Sequence, residues 1–350
     1  MKSRHLIAIL AASLLLAIGA TAQFSLAPPA AKAQPKPKPH EIKKPAAPAA
    51  QPKPATPAAP TEAATPGATP EDPNVDLVYG AYQRGMYKTA FDLATTRAQA
   101  GDVKAMTMLG VLYANGLGVK HDDAKAADWY QRASDRGDRE AMLELAMMRL
   151  KGRGGPEDKQ AAVKLLASSA KLGEPKAAYN LALLYLGGQA LPQDMNRAVE
   201  LLKKAADAGI PEAEYALATF YKEGTVVPKD IEKAAGLLQA AALADNVEAE
   251  VEYAIALFNG TGTPKNPPAA VALLKKASRQ GSPIAQNRLA HVLVDGMGGT
   301  PVDRIEGLKW HLIAKTAGKG DLYLDEVYAQ MSPEDRAKID SAVKHWLGTK

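Results

Sequence analysis

Residues 101–137 read GDVKAMTMLGVLYANGLGVKHDDAKAADWYQRASDRG, and the chain then repeats a version of this stretch five more times. Ala105 recurs every 36 residues, at Ala141, Ala177, Ala213, Ala249 and Ala285. Gly116 recurs on the same count, at Gly152, Gly188, Gly224, Gly260 and Gly296. A constant spacing in this range predicts a solenoid, in which each unit buries its apolar face only by stacking on its neighbours.

Each unit contains the start and stop signals of two helices. Serine, aspartate and asparagine cap helix starts, and proline is tolerated in a first turn. The first helix is predicted to follow Asp102, Asp138, Glu174, Ile210, Asn246 and Ser282. The second is predicted to follow Asp122, Asp158, Asp194, Asp230, Asn266 and Asp303. Second helices should stop at Gly137, Gly173, Gly209, Asp245, Gly281 and Gly318, because glycine readily adopts the left-handed conformation that ends a helix.

Apolar residues in each helix follow helical spacing, which predicts an all-α protein. In the first unit the predicted buried positions are Ala105, Leu109, Leu112, Tyr113, Ala126, Trp129, Tyr130 and Ala133. Aromatic residues make up only 5% of the chain, whereas alanine and leucine are abundant. That composition suits helices packed closely through small side chains.

The N-terminal quarter of the chain predicts export. Residues 1–22 have a basic start, an apolar run and an Ala20-Thr21-Ala22 cleavage pattern, as in a secretory signal peptide. An uncleaved inner-membrane anchor is the alternative, and both place the remaining chain in the periplasm. Residues 23–73 are rich in proline, alanine and lysine, which predicts a disordered linker.

Capping elements are predicted at both ends of the repeats. Residues 74–100 should form an N-terminal helix pair whose first helix is capped by Asn74, and residues 101–318 the six repeats. Residues 319–350 should form C-terminal capping helices, with Ser332 capping the last helix and Trp346 packing on the last repeat. His311 takes the place of leucine in most other units, and we expect it to be partly buried.

The sequence offers little chemistry. The net charge of +5 includes +2 from Lys2 and Arg4 and +2 from residues 27–73, so residues 74–350 contribute only +1. That balance does not favour nucleic-acid binding. The chain has no cysteine, and its six histidines lack the spacing of a helical zinc site. Asp122 beside His121 is better read as a helix cap, and the repeated Gly116 as a turn. We therefore predict no enzyme activity, metal or cofactor.

The pattern A-x-x-x-L-G-x-x-Y-x-x-G-x-G-V-x-x-D-x-x-K-A-x-x-W-Y-x-x-A, from Ala105 to Ala133, resembles the Sel1-like repeat, a relative of the tetratricopeptide repeat. The resemblance covers residues 101–318 and implies a bacterial, exported protein with a right-handed α/α solenoid. The third and fourth units depart from the pattern, because Ala190 and Val226 occupy the column of Gly118. The resemblance also implies an adaptor for protein partners, often in envelope signalling or assembly.

Similarity to such repeats implies that the first helix of each unit lines an inner groove. The residues predicted to bind a protein there are Met108, Glu144, Tyr179, Asn180, Tyr215, Glu252, Asn287, Arg288 and His291. Mixed tyrosine, methionine, asparagine and arginine side chains suit peptide or protein recognition. Asn180 also resembles the asparagine that similar repeats use against a ligand backbone.

Three functions agree with these features. The leading hypothesis is a non-catalytic, exported scaffold that binds an envelope protein and regulates a membrane sensor or envelope assembly. The first alternative is a protein that binds peptidoglycan through the groove or the linker lysines. The second is a hydrolase of wall-related or β-lactam substrates, which rests only on analogy with cysteine-rich relatives.

Overall fold

A computed structural model describes residues 76–348 of the protein. Within that range the chain forms sixteen α-helices, one short 3₁₀ turn at Met297–Gly299 and no strand. The prediction of an all-α solenoid is therefore confirmed. No helix of this range is long and apolar enough to span a membrane. The predicted signal peptide, the whole of the predicted linker and Asn74 lie outside the described residues.

The helices alternate as first and second members of successive pairs. The first members are α1 (Leu77–Gln83), α3 (Val103–Asn115), α5 (Arg139–Lys151), α7 (Pro175–Gly187), α9 (Pro211–Glu223), α11 (Val247–Asn259) and α13 (Pro283–Asp295). The second members are α2 (Tyr87–Gln99), α4 (Asp123–Ser134), α6 (Lys159–Lys171), α8 (Met195–Asp207), α10 (Ile231–Leu243), α12 (Pro267–Arg279) and α14 (Arg304–Thr316). Two further helices, α15 (Leu322–Ala329) and α16 (Pro333–Gly348), follow the last pair.

The predicted capping columns are confirmed in all six repeats. Every Asx residue before a second helix accepts a hydrogen bond from the backbone N–H three residues later, at 2.9 to 3.2 Å. Before the first helices, five of the six residues cap with their side chains. Ile210 cannot, and Pro211 opens that helix instead. Each start thus satisfies or removes an otherwise free N–H group.

Second helices end where the sequence predicts. The glycine column after them has positive φ, and Asp245 is the one non-glycine residue of the described chain with positive φ, at 62°. Asparagine and aspartate tolerate this conformation better than other side chains. The substitution of glycine by aspartate in the fourth repeat is therefore compatible with the same helix end.

A second glycine column fixes how neighbouring units approach each other. Gly118, Gly154 and Gly262 lie against the first residues of α2, α4 and α10, respectively. A Cβ atom at any of the three would overlap backbone atoms of that helix in the preceding unit. The loop between two helices of one unit therefore packs directly on the second helix of the unit before it.

The core runs continuously between first and second helices. Alanines of the 36-residue column are almost completely buried, from Ala105 at 2% exposure to Ala177 and Ala213 at 0%. Small and large residues compensate each other across the helix pair. In the first repeat the ring of Tyr130 lies on Gly110, where a Cβ atom would collide with it. The next repeat instead buries Ala146 and Leu166 in the same columns.

Two predicted buried positions are corrected by the structure. Trp129 is half-buried, with the guanidinium of Arg132 lying 4.9 Å from its ring centre. Tyr113 is also half-buried and contacts the ring of Phe91 edge to face, with centroids 5.5 Å apart. Both lie at the margins of their helix faces, where helical spacing alone does not separate core from rim.

The two C-terminal helices pack on the sixth repeat. Trp346 meets Trp310 edge to face, with ring centroids 5.0 Å apart, which confirms the predicted contact. The hydroxyl of Ser332 accepts a hydrogen bond from the backbone N–H of Asp335 at 3.1 Å, as the predicted cap requires. The expectation of a partly buried His311 was wrong, because this residue is fully buried.

Candidate functional site

All nine predicted binding residues lie on the first helices α3, α5, α7, α9, α11 and α13. Neighbouring first helices lie side by side, as contacts such as Lys222 Nζ to Glu252 Oε2, at 3.0 Å, show. We call the surface that these helices present, outside their contacts with second helices, the first-helix face. Eight of the nine residues are half-buried or exposed on it. Met108 is the exception, because at 7% exposure it belongs to the core.

At the C-terminal end the first-helix face is occupied by the chain itself. The side-chain amide of Asn287 donates a hydrogen bond to the carbonyl of Lys319 at 3.3 Å. His291 Nε2 lies 3.3 Å from Oδ2 of Asp321, and its ring stacks on Tyr323 with a 9° angle between the planes. Asn287 and His291 therefore hold the turn before α15, and Arg288 stays exposed beside them.

Asn180 uses one N–H of its side-chain amide within its own helix. Its Nδ2 donates to the carbonyl of Lys176 on the same helix at 2.7 Å. An asparagine that bonds one turn back along its own helix has one donor fewer for a ligand. The structure thus gives no support to its predicted role in binding a ligand backbone.

Two of the predicted tyrosines form the centre of a distinct cluster. Tyr179 on α7 and Tyr215 on α9 are equivalent residues of adjacent repeats, and both are half-buried. Burial raises the pKa of Tyr179, and the carboxylates of Glu212 and Glu248 raise it further. Burial raises the pKa of Tyr215 to about 12, with added effects from Glu252 and Glu248. We name these five residues the tyrosine–glutamate cluster.

Sequence reasoning missed Glu212 and Glu248, although both are exposed. They belong to the column just before the buried alanines, which also holds Lys104, Glu140 and Lys176. Glu248 and Glu252 are four residues apart and so lie on the same side of α11. The residue in this column changes between lysine and glutamate from repeat to repeat, and that change of charge was the sequence signal that could have revealed Glu212 and Glu248.

Glu144 forms a second titratable position on the same face. Its side chain is half-buried, and burial raises its pKa to about 7. Lys176 lowers this pKa, whereas Glu140 and Glu174 raise it. Glu140 itself is paired, since Lys104 Nζ lies 3.4 Å from its carboxylate and 3.0 Å from Asp138. Glu144 therefore changes its charge near neutral pH.

No cluster of three or more metal-ligating side chains occurs within residues 76–348. An open pocket lies beside the start of α10, lined by Tyr221, Pro228, Lys229, Asp230, Ile231 and Glu232. Its charged residues belong to the start of α10 and the loop before it, where Asp230 already accepts a hydrogen bond from the backbone N–H of Lys233. The first-helix face is consequently the better candidate for a binding site.

Among the solved structures that resemble this chain are two at 25% identity. One is c5321, a protective antigen present in uropathogenic Escherichia coli strains displaying an SLR fold, with a TM-score of 0.66. That match covers 77% of this chain and only 60% of c5321. The other is a Sel1 repeat protein from Oxalobacter formigenes, with a TM-score of 0.63, which covers 69% of this chain and 98% of that one. Among curated proteins, none gives a significant match.

The family model of the Sel1 repeat matches six consecutive segments. They are residues 103–138, 139–174, 175–210, 211–246, 247–282 and 283–319. Each segment begins within one residue of the first helix of a pair and extends to the residues that precede the next pair. Together they span well over half of the chain. The protein therefore belongs to the Sel1 repeat family.

Proposed function

We propose that this protein is a non-catalytic scaffold of the cell envelope whose first-helix face binds another protein. The observation that carries the proposal is the row of six Sel1 repeats, which aligns six first helices into one surface. Repeat arrays of this kind offer extended binding surfaces because each unit adds a similar helix at a regular spacing. Binding energy is then available from many small contacts rather than from one deep pocket.

The middle of the first-helix face has the composition of a recognition surface. Tyr179 and Tyr215 are half-buried, so each holds a fixed ring and still offers part of it to a ligand. Tyrosine supplies contact area at a low entropic cost and is enriched among the residues that dominate protein interfaces. The partner would thus be bound mainly between α7 and α11.

The envelope location rests on residues 1–22, whose pattern is that of a signal peptide. In the proposed arrangement the repeats lie in the periplasm and regulate a membrane sensor or the assembly of an envelope structure. Protease treatment of intact cells and of spheroplasts tests the location. A periplasmic protein should be cleaved only after the outer barrier is opened, and resistance in spheroplasts would contradict the assignment.

Crosslinking in the native host tests the binding face. A photoreactive amino acid at Tyr215 should capture a defined protein, whereas the same group at Lys203, exposed on the second helix α8, should not. Captured species are identified by mass spectrometry. Identical products from both positions, or none from Tyr215, would contradict a protein partner on this face.

A further inference from the structure

The tyrosine–glutamate cluster contains carboxylates that the protein does not neutralise. Glu212 and Glu248 are exposed and form no ion pair with any residue of the described chain. Glu252 is paired with Lys222 on the neighbouring helix at 3.0 Å. Two exposed carboxylates without an ion pair therefore lie on α9 and α11, near the half-buried Tyr179 and Tyr215, and the exposed Lys176 precedes them in the same column on α7.

Helix stability does not explain these charges. Glu212 and Glu248 lie in the first turns of α9 and α11, where an acidic side chain interacts favourably with the helix dipole. However, the equivalent positions of α3 and α7 hold Lys104 and Lys176. Since helices of the same length begin with a lysine there, the fold does not require the acid.

Exposed carboxylates without an ion pair lie in the middle of the first-helix face, whereas the unpaired Glu144 on α5 is half-buried. Towards the N-terminus, Lys104 pairs with Asp138 and Glu140, and Arg139 approaches Glu174 at 3.5 Å. Towards the C-terminus, Asn287 and His291 are engaged with the turn before α15. Among the first helices of the six repeats, exposed carboxylates without an ion pair therefore lie on α9 and α11.

The chemistry of the cluster selects a cation. Ammonium and guanidinium groups are attracted both to carboxylates and to the faces of tyrosine rings. Lys222 on α9 reaches Glu252 on α11 at 3.0 Å, so neighbouring first helices lie within side-chain reach of each other. An extended segment, which advances at most about 3.6 Å per residue, crosses them with a few residues. Such a segment can place two basic side chains between the rings and the carboxylates.

We propose that the tyrosine–glutamate cluster binds an extended segment of the partner protein that bears at least two lysine or arginine residues. This proposal rests on the proposed function, because it specifies the chemistry of the ligand on the same face. It predicts recognition through charge and aromatic contact, with Glu212 and Glu248 receiving the cations. The partner segment would run across α7, α9 and α11.

The test measures binding of a synthetic probe to the full chain by fluorescence anisotropy. The probe is a labelled, capped peptide of about twelve residues with three arginines, and its twin has neutral citrulline at the same positions. Binding at low salt should be at least about tenfold tighter for the arginine peptide, and should weaken steeply in about 0.5 M NaCl because salt screens exposed charges. Equal binding of both peptides, or binding of neither, would overturn the proposal.

Variants locate the binding. The pair Glu212→Gln and Glu248→Gln should reduce affinity for the arginine peptide about tenfold, and Tyr179→Ala should reduce it further than Tyr179→Phe. The matched control pair is Glu200→Gln and Glu232→Gln, which removes two exposed charges from second helices. An equal loss in the control pair would refute the assignment of the site.

If a partner crosslinks to Tyr215 through a segment without basic residues, the proposed function stands and this inference fails. Concentration-dependent self-association that Glu212→Gln and Glu248→Gln together abolish would identify a second copy of the chain as the ligand of the tyrosine–glutamate cluster. That result would also overturn the proposal.

Discussion

Nε2 of His311 lies 2.8 Å from Oδ1 of Asp325, and this contact joins the sixth repeat to the C-terminal helix α15. His311 is fully buried in a column that Leu166, Leu202, Leu238 and Leu274 occupy in the preceding repeats. Lys315 also contacts Asp325, at 2.7 Å, and together Lys315 and His311 lower the pKa of the Asp325 carboxyl. The column changes from leucine to histidine where a terminal helix replaces another repeat.

Two substitutions of His311 distinguish its role in packing the core from its contact with Asp325. His311→Leu should keep the repeat folded, because leucine fits the same column elsewhere, but it should free Asp325 from the imidazole. We expect hydrogen exchange to accelerate in residues 322–329 and to change little in residues 283–295. His311→Ala should in addition leave a cavity and lower stability by about 2 kcal/mol or more.

The control for the histidine contact is Asp325→Asn, which retains the size of the side chain. It should reproduce the faster exchange of α15 seen with His311→Leu. Unchanged exchange in both variants would show that the contact does not hold the terminal helix in place.

The raised pKa of the Glu144 carboxyl predicts that the protein loses stability as the pH rises. Its pKa is raised to about 7 in the folded protein, above the ordinary value of 4.5. Between these values the unfolded chain has released the proton and the folded chain has not, so stability falls as pH rises and the loss is complete above about pH 7. Between pH 5 and pH 8, the free energy of unfolding of Glu144→Gln should therefore rise by about 1 to 3 kcal/mol relative to wild type. This magnitude follows from about 1.4 kcal/mol per pKa unit.

Urea unfolding of both proteins at several pH values measures this difference. Glu200→Gln is the control, since Glu200 is exposed and its removal should leave the pH dependence unchanged. A constant stability difference between Glu144→Gln and wild type from pH 5 to pH 8 would contradict the role of Glu144.

The buried alanine column predicts sensitivity to side-chain size. Ala177 is fully buried, so Ala177→Leu should overpack the helix interface and cost about 1 to 3 kcal/mol. Ala167→Leu is the matched control, because Ala167 is exposed on the second helix α6. Denaturant unfolding should show a lower midpoint only for Ala177→Leu, and equal midpoints would show that the column tolerates bulk.

Gly262 tests the contact between neighbouring units. A Cβ atom there would overlap the backbone of Ile231, whereas Gly209 also has positive φ but faces open space. Both alanine variants bear the cost of a left-handed residue, of about 1 kcal/mol. Gly262→Ala should lower the thermal midpoint clearly more than Gly209→Ala, and equal effects would mean that backbone conformation alone requires the glycine.

The candidate site was only partly predictable from the sequence. Tyr179 and Tyr215 lie on first helices outside the fully buried core, as predicted, because helical spacing from the buried alanines separates core from surface positions. Met108 was misplaced, since a position at the margin of the face is buried or exposed according to its neighbours. Glu212 and Glu248 were missed because their importance depends on distances to tyrosines of other helices.

The sequence by itself determined the 36-residue period. It also determined where the sixteen helices of residues 76–348 begin and end, and which repeated positions form the core. Caps, left-handed turns and helical faces depend on local backbone geometry, which a few neighbouring residues specify. Only the tertiary structure decided that His311 is buried against Asp325 and that Glu212 and Glu248 form no ion pair within the described residues. These relationships join different helices, and their distances depend on how the units stack.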